Sequence, residues 1–409
     1  MSFVNIIPQV KDSLDKEMVK KVEHFFEKIN HRLLYKMGVF DDYDHGGDDA
    51  LGMEVEYFHF NITGDDRMRY LGQNIVLENE SKLSPRNKLC NAIIAHLYGG
   101  RSIHSLLSGK TNPKEAYLDF ERINSDAKYV DEIKANAAYA KAHGYKFYGT
   151  TELHTSLMQA GRDFCRKKYS EPERAATNTD IVEWVAGFIQ DGLVDDLLYN
   201  TKTLSEAYEK INSLRGVGPY YGYHLAVDCS LIPGTPYHHD EEFCVPGPGA
   251  RHTMDLLFPT LKEKVKKMPY GELIVWIEQN QKKLYPRIEF NEALKNIINE
   301  ESQIKMFNFD QDKFMVYGLE VGHCQAGIYD YLLKNPRLID KRKCGSDPDL
   351  TPLILREQGN PIEPASALKK KRAVKIVVPD KNILLPQEKQ EVKQQQQIGK
   401  KSVSKLIIF

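Results

Sequence analysis

Through roughly the first 345 residues, apolar side chains return every three or four positions between runs of charge, the spacing of helices with one buried face. The stretch DKEMVKKVEHFFEKINHRLLYKM shows it plainly. SPRNKLCNAIIAHLYGG adds boundaries, with Ser84 as N-cap, Pro85 in the first helical position and the Gly99, Gly100 pair as a stop. NTDIVEWVAGFIQDG and MPYGELIVWIEQNQKKL repeat the pattern between turn residues. Two short runs, VEYFHFNI and YKFYGTT, carry strand character, enough for one minor hairpin. The pattern predicts a mostly α body over 1–345. Beyond it, residues 346–409 combine prolines, a glutamine run and clustered lysines without periodicity, and are expected to be a disordered basic tail.

The chain has 409 residues, 41% hydrophobic and 28% charged, the composition of a globular protein. No apolar run approaches the ~18 residues that span a bilayer. The first twenty residues lack the features of a secretory signal, so an intracellular protein without membrane contact is expected. Six cysteines without a C-x-x-C pair suggest buried thiols, neither disulfides nor zinc ligands. The net charge of −1 conceals an asymmetry. From residue 360 onward 11 Lys and Arg face 4 Asp and Glu, which leaves the body with 45 against 53. An acidic body excludes a broad DNA-coating surface, because nonspecific affinity comes from neutralised phosphates. Contact with nucleic acid would need a local patch or backbone amides. The KKKR at residues 369–372 reads equally as a solvated face, a nucleic-acid contact or, in a eukaryote, a nuclear import signal.

The densest chemistry lies at SLRGVGPYYGYHLAVDC. TKTLSEAYEKINSL precedes it with a capping box, in which Thr203 caps the Glu206 amide and the Glu206 carboxylate reaches back. Gly216, Val217 and Gly218 form a short turn, and Pro219 suits the first position of the next helix. Amides at such an N-terminus can hold a DNA phosphate without reading bases. A plain turn between two core helices fits the same residues. Some twenty residues later HHDEE offers Asp240, Glu241 and Glu242 for acid–base or cation-stabilising work, against a solvated acidic loop. The Pro246-Gly247-Pro248-Gly249 turn follows, rigid and suited to close backbone approach, with Arg251 placed to meet a phosphate. Arg162, Arg166, Lys167 and Lys168 read as a solvated helix face, and Trp184 and Trp276 as core. His323 and Cys324, adjacent on a helix, do not face each other. SGKT at residues 108–111 lacks the first glycine of a phosphate-binding loop.

The G-V-G hairpin followed by acidic residues resembles the helix-hairpin-helix DNA glycosylases, whose essential aspartate falls near Asp240. Tyr220 and Tyr221 stand where lyase-type members carry lysine, which implies a monofunctional enzyme. A divergent branch is similar over about residues 55–340: the α-glutamyl/putrescinyl-thymine pyrophosphorylases and the helical domain of 5-hydroxymethyluracil DNA kinases. YKFYGTTELHTSLMQAG resembles its K-x-F-T-G segment, the hairpin unit ends at Asp228, VPGPGA matches its P-G-P-G turn, and LEVGHCQAGIYDYLLKNPR resembles its last helix. In that last helix Gln325, Ala326, Gly327 and Ile328 replace charge. The resemblance implies a glycosylase-like helical fold and a transferase of thymine hypermodification, with DNA and an amine or amino acid as partners and no cofactor. Asp240, Glu241 and Glu242 would be catalytic, while Gly216, Val217, Gly218, Pro219, Gly247, Gly249 and Arg251 would hold DNA. A monofunctional glycosylase and a non-catalytic DNA-binding module on the same scaffold are the alternatives.

Overall fold

In the computed structural model the described residues are 6–36, 75, 82–98, 103–112, 114–145, 147, 154–238, 241–288, 313–334 and 357. They all belong to the unit Met1–Asn360; the second unit, Pro361–Phe409, lies outside them, as do KKKR and nearly all of the expected tail. VEYFHFNI and most of YKFYGTT also fall outside. Among the described residues every regular element is a helix, in keeping with the expected mostly α body.

The chain order is α1 (Ile7–Ser13), α2 (Lys16–Lys36), α3 (Pro85–Tyr98), α4 (Ile103–Ser108), α5 (Phe120–Ile123), α6 (Ala127–Ala142), α7 (His154–Tyr169) and α8 (Asp180–Gln190). After α9 (Leu193–Asp195) and a π-turn at Asp196–Asn200 come α10 (Leu204–Asn212), α11 (Pro219–Ser230), α12 (Pro248–Leu257), α13 (Pro259–Lys264), α14 (Tyr270–Leu284) and α15 (Val316–Lys334). The expected starts hold: Ser84 Oγ accepts the Asn87 amide at 3.2 Å, and Pro85 opens α3. Asp126 caps α6 by accepting the Lys128 and Tyr129 amides, satisfying donors that lack an intrahelical partner.

The helices pack in pairs: α10 on α11, α7 on α8, α4 on α6 and, most extensively, α12 on α15. The central α3 touches α8 and α11 and is buried along nearly its whole length, which is why it shows no polar face. One continuous apolar cluster runs from Val10 and Phe26 through Ile93, Val185, Leu225 and Ile274 to Phe314. Trp184 and Trp276 are buried in it, as expected. Cys90, Cys165, Cys229, Cys244 and Cys324 are buried free thiols, and burial pushes the Cys165 thiol up to about 12. No helix among the described residues is long and apolar enough to cross a membrane.

Candidate functional site

The hairpin is built from its caps. Thr203 Oγ1 accepts the Glu206 amide at 3.2 Å, and Glu206 Oε2 reaches back to the Lys202 amide at 2.8 Å, one residue beyond the usual capping box. Helix α10 ends at Asn212, and Gly216 then takes a left-handed φ of 87°. The two glycines of the turn face different surroundings. A Cβ on Gly216 would lie 2.7 Å from the Ser156 carbonyl oxygen, and Ser156 Oγ donates to the Gly216 carbonyl at 3.0 Å, so this glycine is docked on α7. Arg215 reinforces the contact through Asp163 at 2.8 Å. Gly218 is extended (φ −92°, ψ 168°), and nothing lies within 4 Å of its would-be Cβ. Pro219 opens α11 behind it, and no side chain caps this N-terminus. Val217 is buried under the turn.

The acidic loop is partly described. Asp240 and His239 lie outside the described residues. Glu241 Oε1 accepts the His238 amide at 3.0 Å and its Oε2 the Leu204 amide at 2.7 Å, so this carboxylate ties the loop to the start of α10. Glu242 is exposed beside Gln279.

The P-G-P-G turn makes the close backbone approach that its sequence promised, and makes it to α15. A Cβ on Gly249 would fall 2.2 Å from the Cys324 carbonyl oxygen, and one on Gly327 2.1 Å from the Gly249 carbonyl oxygen. A Cβ on Gly247 would strike the Tyr220 ring at 2.5 Å, and the Gly247 amide donates to Glu320 Oε1 at 2.8 Å. Arg251 is exposed; its Nε donates to the Pro246 carbonyl at 2.9 Å and its guanidinium sits 5.8 Å from the Tyr270 ring centre. The hairpin and the turn are therefore adjacent, with Tyr220 between them.

Beneath both lies a group of polar residues that the chain gives no local sign of. His96 Nδ1, on α3, is 2.6 Å from Asp228 Oδ2, on α11. His224 Nε2, also on α11, is 3.1 Å from Glu320 Oε2 on α15, and Tyr317 Oη is 3.3 Å from His224 Nδ1. The two imidazole centroids are 6.4 Å apart, Tyr220 lies 4.3 Å from the His224 ring and Tyr221 meets His96 edge-on at 5.2 Å. His224 Nε2 and Glu320 Oε2 are close but out of line, and neither makes an aligned hydrogen bond among the described residues. A buried polar atom left so costs about 1–3 kcal/mol. Burial, with Glu320 and Cys324 nearby, raises the Tyr220 phenol well above its ordinary range. Burial likewise pushes the Cys324 thiol up to about 12, against the opposing pull of the Gly249 and Ala250 amides and the Tyr220 hydroxyl. Cys324 is thus a protonated packing thiol under the turn.

The remaining motifs have structural partners. Lys168 pairs with Glu183 at 3.0 Å and Arg166 donates to the Arg174 carbonyl, while Lys167 stays exposed. Thr111 and Lys110 of SGKT bind the carboxylate of Glu357. His323 turns to Tyr285 Oη and the Leu319 carbonyl, away from its neighbour Cys324, as helical geometry requires.

A family model described as "5-hmdU DNA kinase, helical domain" matches residues 63–312. No curated protein and no solved structure matches the chain. The matched span takes in α3, the hairpin, the acidic loop and the P-G-P-G turn, and stops short of α15. More than half of this chain lies within the match, and it belongs to the 5-hmdU DNA kinase helical-domain family.

Proposed function

We propose that this chain modifies a pyrimidine base in DNA, on a helix-hairpin-helix scaffold of the glycosylase type. The observation that carries the reading is the uncapped start of α11 at Gly218 and Pro219, with open space beside Gly218, while Gly216 anchors the same turn to α7. A phosphate fits such an N-terminus, because amides and the helix dipole favour negative charge. Arg251 is exposed on α12, whose preceding Gly247 lies against Tyr220 of α11, and would extend the same contact along a strand. Chemistry on a base requires its extrusion from the stack. The target is thymine or 5-hydroxymethyluracil, and the reaction replaces an activated hydroxymethyl group with an amine or amino acid. Asp240, in the acidic loop, serves as base or electrostatic stabiliser; Glu241 holds that loop in place.

The test is nucleoside mass spectrometry of oligonucleotides carrying thymine, 5-hydroxymethyluracil or its pyrophosphorylated form, incubated with the protein and an amine pool. An amine adduct is expected, and Asp240→Asn should abolish it while DNA binding persists. Release of free base with an abasic site would make the protein a monofunctional glycosylase. Unchanged DNA in every reaction would overturn the assignment in favour of a non-catalytic DNA-binding module.

A further inference from the structure

The side of α7 that meets the hairpin is lined with positive charge. At helical spacing Ser156, Asp163 and Lys167 fall in one row, and Gln159, Arg162 and Arg166 in the row beside it. Ser156 Oγ donates to the Gly216 carbonyl at 3.0 Å, and Arg215 Nη2 pairs with Asp163 Oδ2 at 2.8 Å. The first row therefore runs outward from the glycine turn. Gln159 Nε2 donates to Asp163 Oδ1 at 2.8 Å, and Arg162 Nε lies 3.9 Å from the same oxygen. The Gln159 hydrogen bond holds the Asp163 carboxyl below its ordinary range, against desolvation and with the Arg215, Arg162 and Arg166 guanidiniums pulling the same way. One ionised carboxylate thus stands among several cations. Like charges gathered round it repel one another, and a further anion relieves that repulsion.

A solvated helix face is the reading from sequence alone, but the fold sorts these residues. Lys168 turns away to the buried Glu183, whereas Arg215 joins α7 from the hairpin itself and stands 71% exposed. Lys167 is exposed one turn beyond Asp163. Glu171 and Glu173, exposed past the end of α7, limit the patch there. From Ser156 to Lys167 the face covers about 16 Å of helix axis, and a DNA strand carries one phosphate per about 3.4 Å of duplex axis. The face is long enough for several phosphates in succession. On the other flank of the hairpin, Tyr220 at the start of α11 lies against Gly247, ahead of Arg251. The hairpin stands between the two basic flanks.

We propose that this face of α7, together with Arg215, is a second docking surface for the DNA backbone, meeting phosphates further along the strand held at the α11 N-terminus. The proposal rests on the reading of the chain as a protein that acts on DNA. The partner is the phosphodiester backbone and not the bases, because guanidinium and ammonium groups grip phosphate oxygens whatever the sequence. Arg215 gives up little in leaving Asp163, since exposed ion pairs contribute little to stability, and Asp163 keeps Gln159. A strand held on both flanks of the hairpin stays in place while one base is extruded.

The test is fluorescence anisotropy of a duplex oligonucleotide over a series of salt concentrations, with the full chain as wild type, Arg215→Gln and Lys167→Gln. Arg122→Gln, which removes an exposed arginine paired with Asp126, is the control. Each phosphate contact contributes about 0.9 to the slope of log K against log salt. Arg215→Gln and Lys167→Gln should each flatten the slope by about that amount, and the control should leave it unchanged. If Arg215→Gln does not fold, Lys167→Gln decides. Wild-type slopes in both variants would overturn the proposal and leave the base-modifying function standing. Flattening by Arg215→Gln alone would confine the contact to the hairpin and overturn the α7 surface. Equal flattening by the control would overturn it too, since loss of any charge would then suffice. A wild type that binds no DNA sinks the function and the proposal together. Flattened slopes without adduct formation support the docking surface and leave a non-catalytic DNA-binding module.

Discussion

Adding one methyl group to each hairpin glycine in turn separates folding from binding. Gly216 is left-handed, which costs alanine about 1–2 kcal/mol. Its new Cβ would also press on the Ser156 carbonyl at 2.7 Å, backbone that cannot swing aside. Overpacking of that kind adds about 1–3 kcal/mol, so Gly216→Ala should cost about 2–5 kcal/mol. At about 2 °C per kcal/mol for a chain of this size, the melting temperature should fall by about 4–10 °C. Gly218 behaves differently, because its φ of −92° suits any residue and its Cβ meets nothing. Alanine there gains about 0.4–1 kcal/mol from a less disordered unfolded chain and loses a similar amount as a poorer N-cap. The net change should stay within about 1 kcal/mol. A methyl group in front of the α11 N-terminus does obstruct an incoming phosphate, and Gly218→Ala should weaken oligonucleotide binding at least about tenfold, which is about 1.4 kcal/mol. Thermal melts and fluorescence anisotropy at one fixed salt concentration measure the two effects. If Gly218→Ala binds like wild type, the hairpin is a turn between core helices and nothing more. If both variants melt alike, the account of the two glycines is wrong.

Two further outcomes follow from packing and burial. Gly249→Ala would place a methyl carbon 2.2 Å from the Cys324 carbonyl oxygen, and it should destabilise the fold by about 1–3 kcal/mol or more; a melt within 1 °C of wild type, on the order of what surface substitutions produce, would refute the α12–α15 contact. Burial lowers His104 and His323 to about 4 in the folded chain, from about 6.5 when unfolded. The folded state therefore prefers both rings neutral, so stability is full above pH ~6.5 and is lost as the pH falls through 4, by on the order of 3 kcal/mol per ring. Urea unfolding at neutral pH and at pH ~4.5 measures the difference, and equal stabilities would contradict it.

What could be read in the chain was whatever depends on neighbours in sequence. Thr203 and Glu206, Ser84 and Pro85, and Gly216 through Pro219 announce a cap, a start and a turn within a few residues each, and all three stand in the structure. The P-G-P-G turn announced a close approach but not to what; Gly249 is fitted to Gly327, 78 positions later in the numbering. His96, His224 and Glu320 were illegible for the same reason. Each sits among mostly apolar neighbours and carries no local sign of its partner, because that partner comes from another helix far along the chain. Glu241 was read for acid–base work from its place in HHDEE, yet both its oxygens hold backbone amides. Nothing in the local sequence distinguishes a carboxylate aimed at solvent from one aimed at a helix start 37 residues back.

That tie makes Glu241 a hinge pin between two pieces of chain that would otherwise open separately. The Leu204 amide begins the helix leading into the hairpin, and the His238 amide begins the acidic loop; one carboxylate accepts both. Local opening of either piece forfeits the bond that steadies the other, so in hydrogen exchange the two amides belong to a single cooperative unit. A ligand that stiffens the acidic loop through Glu241 therefore stiffens the leading helix with it.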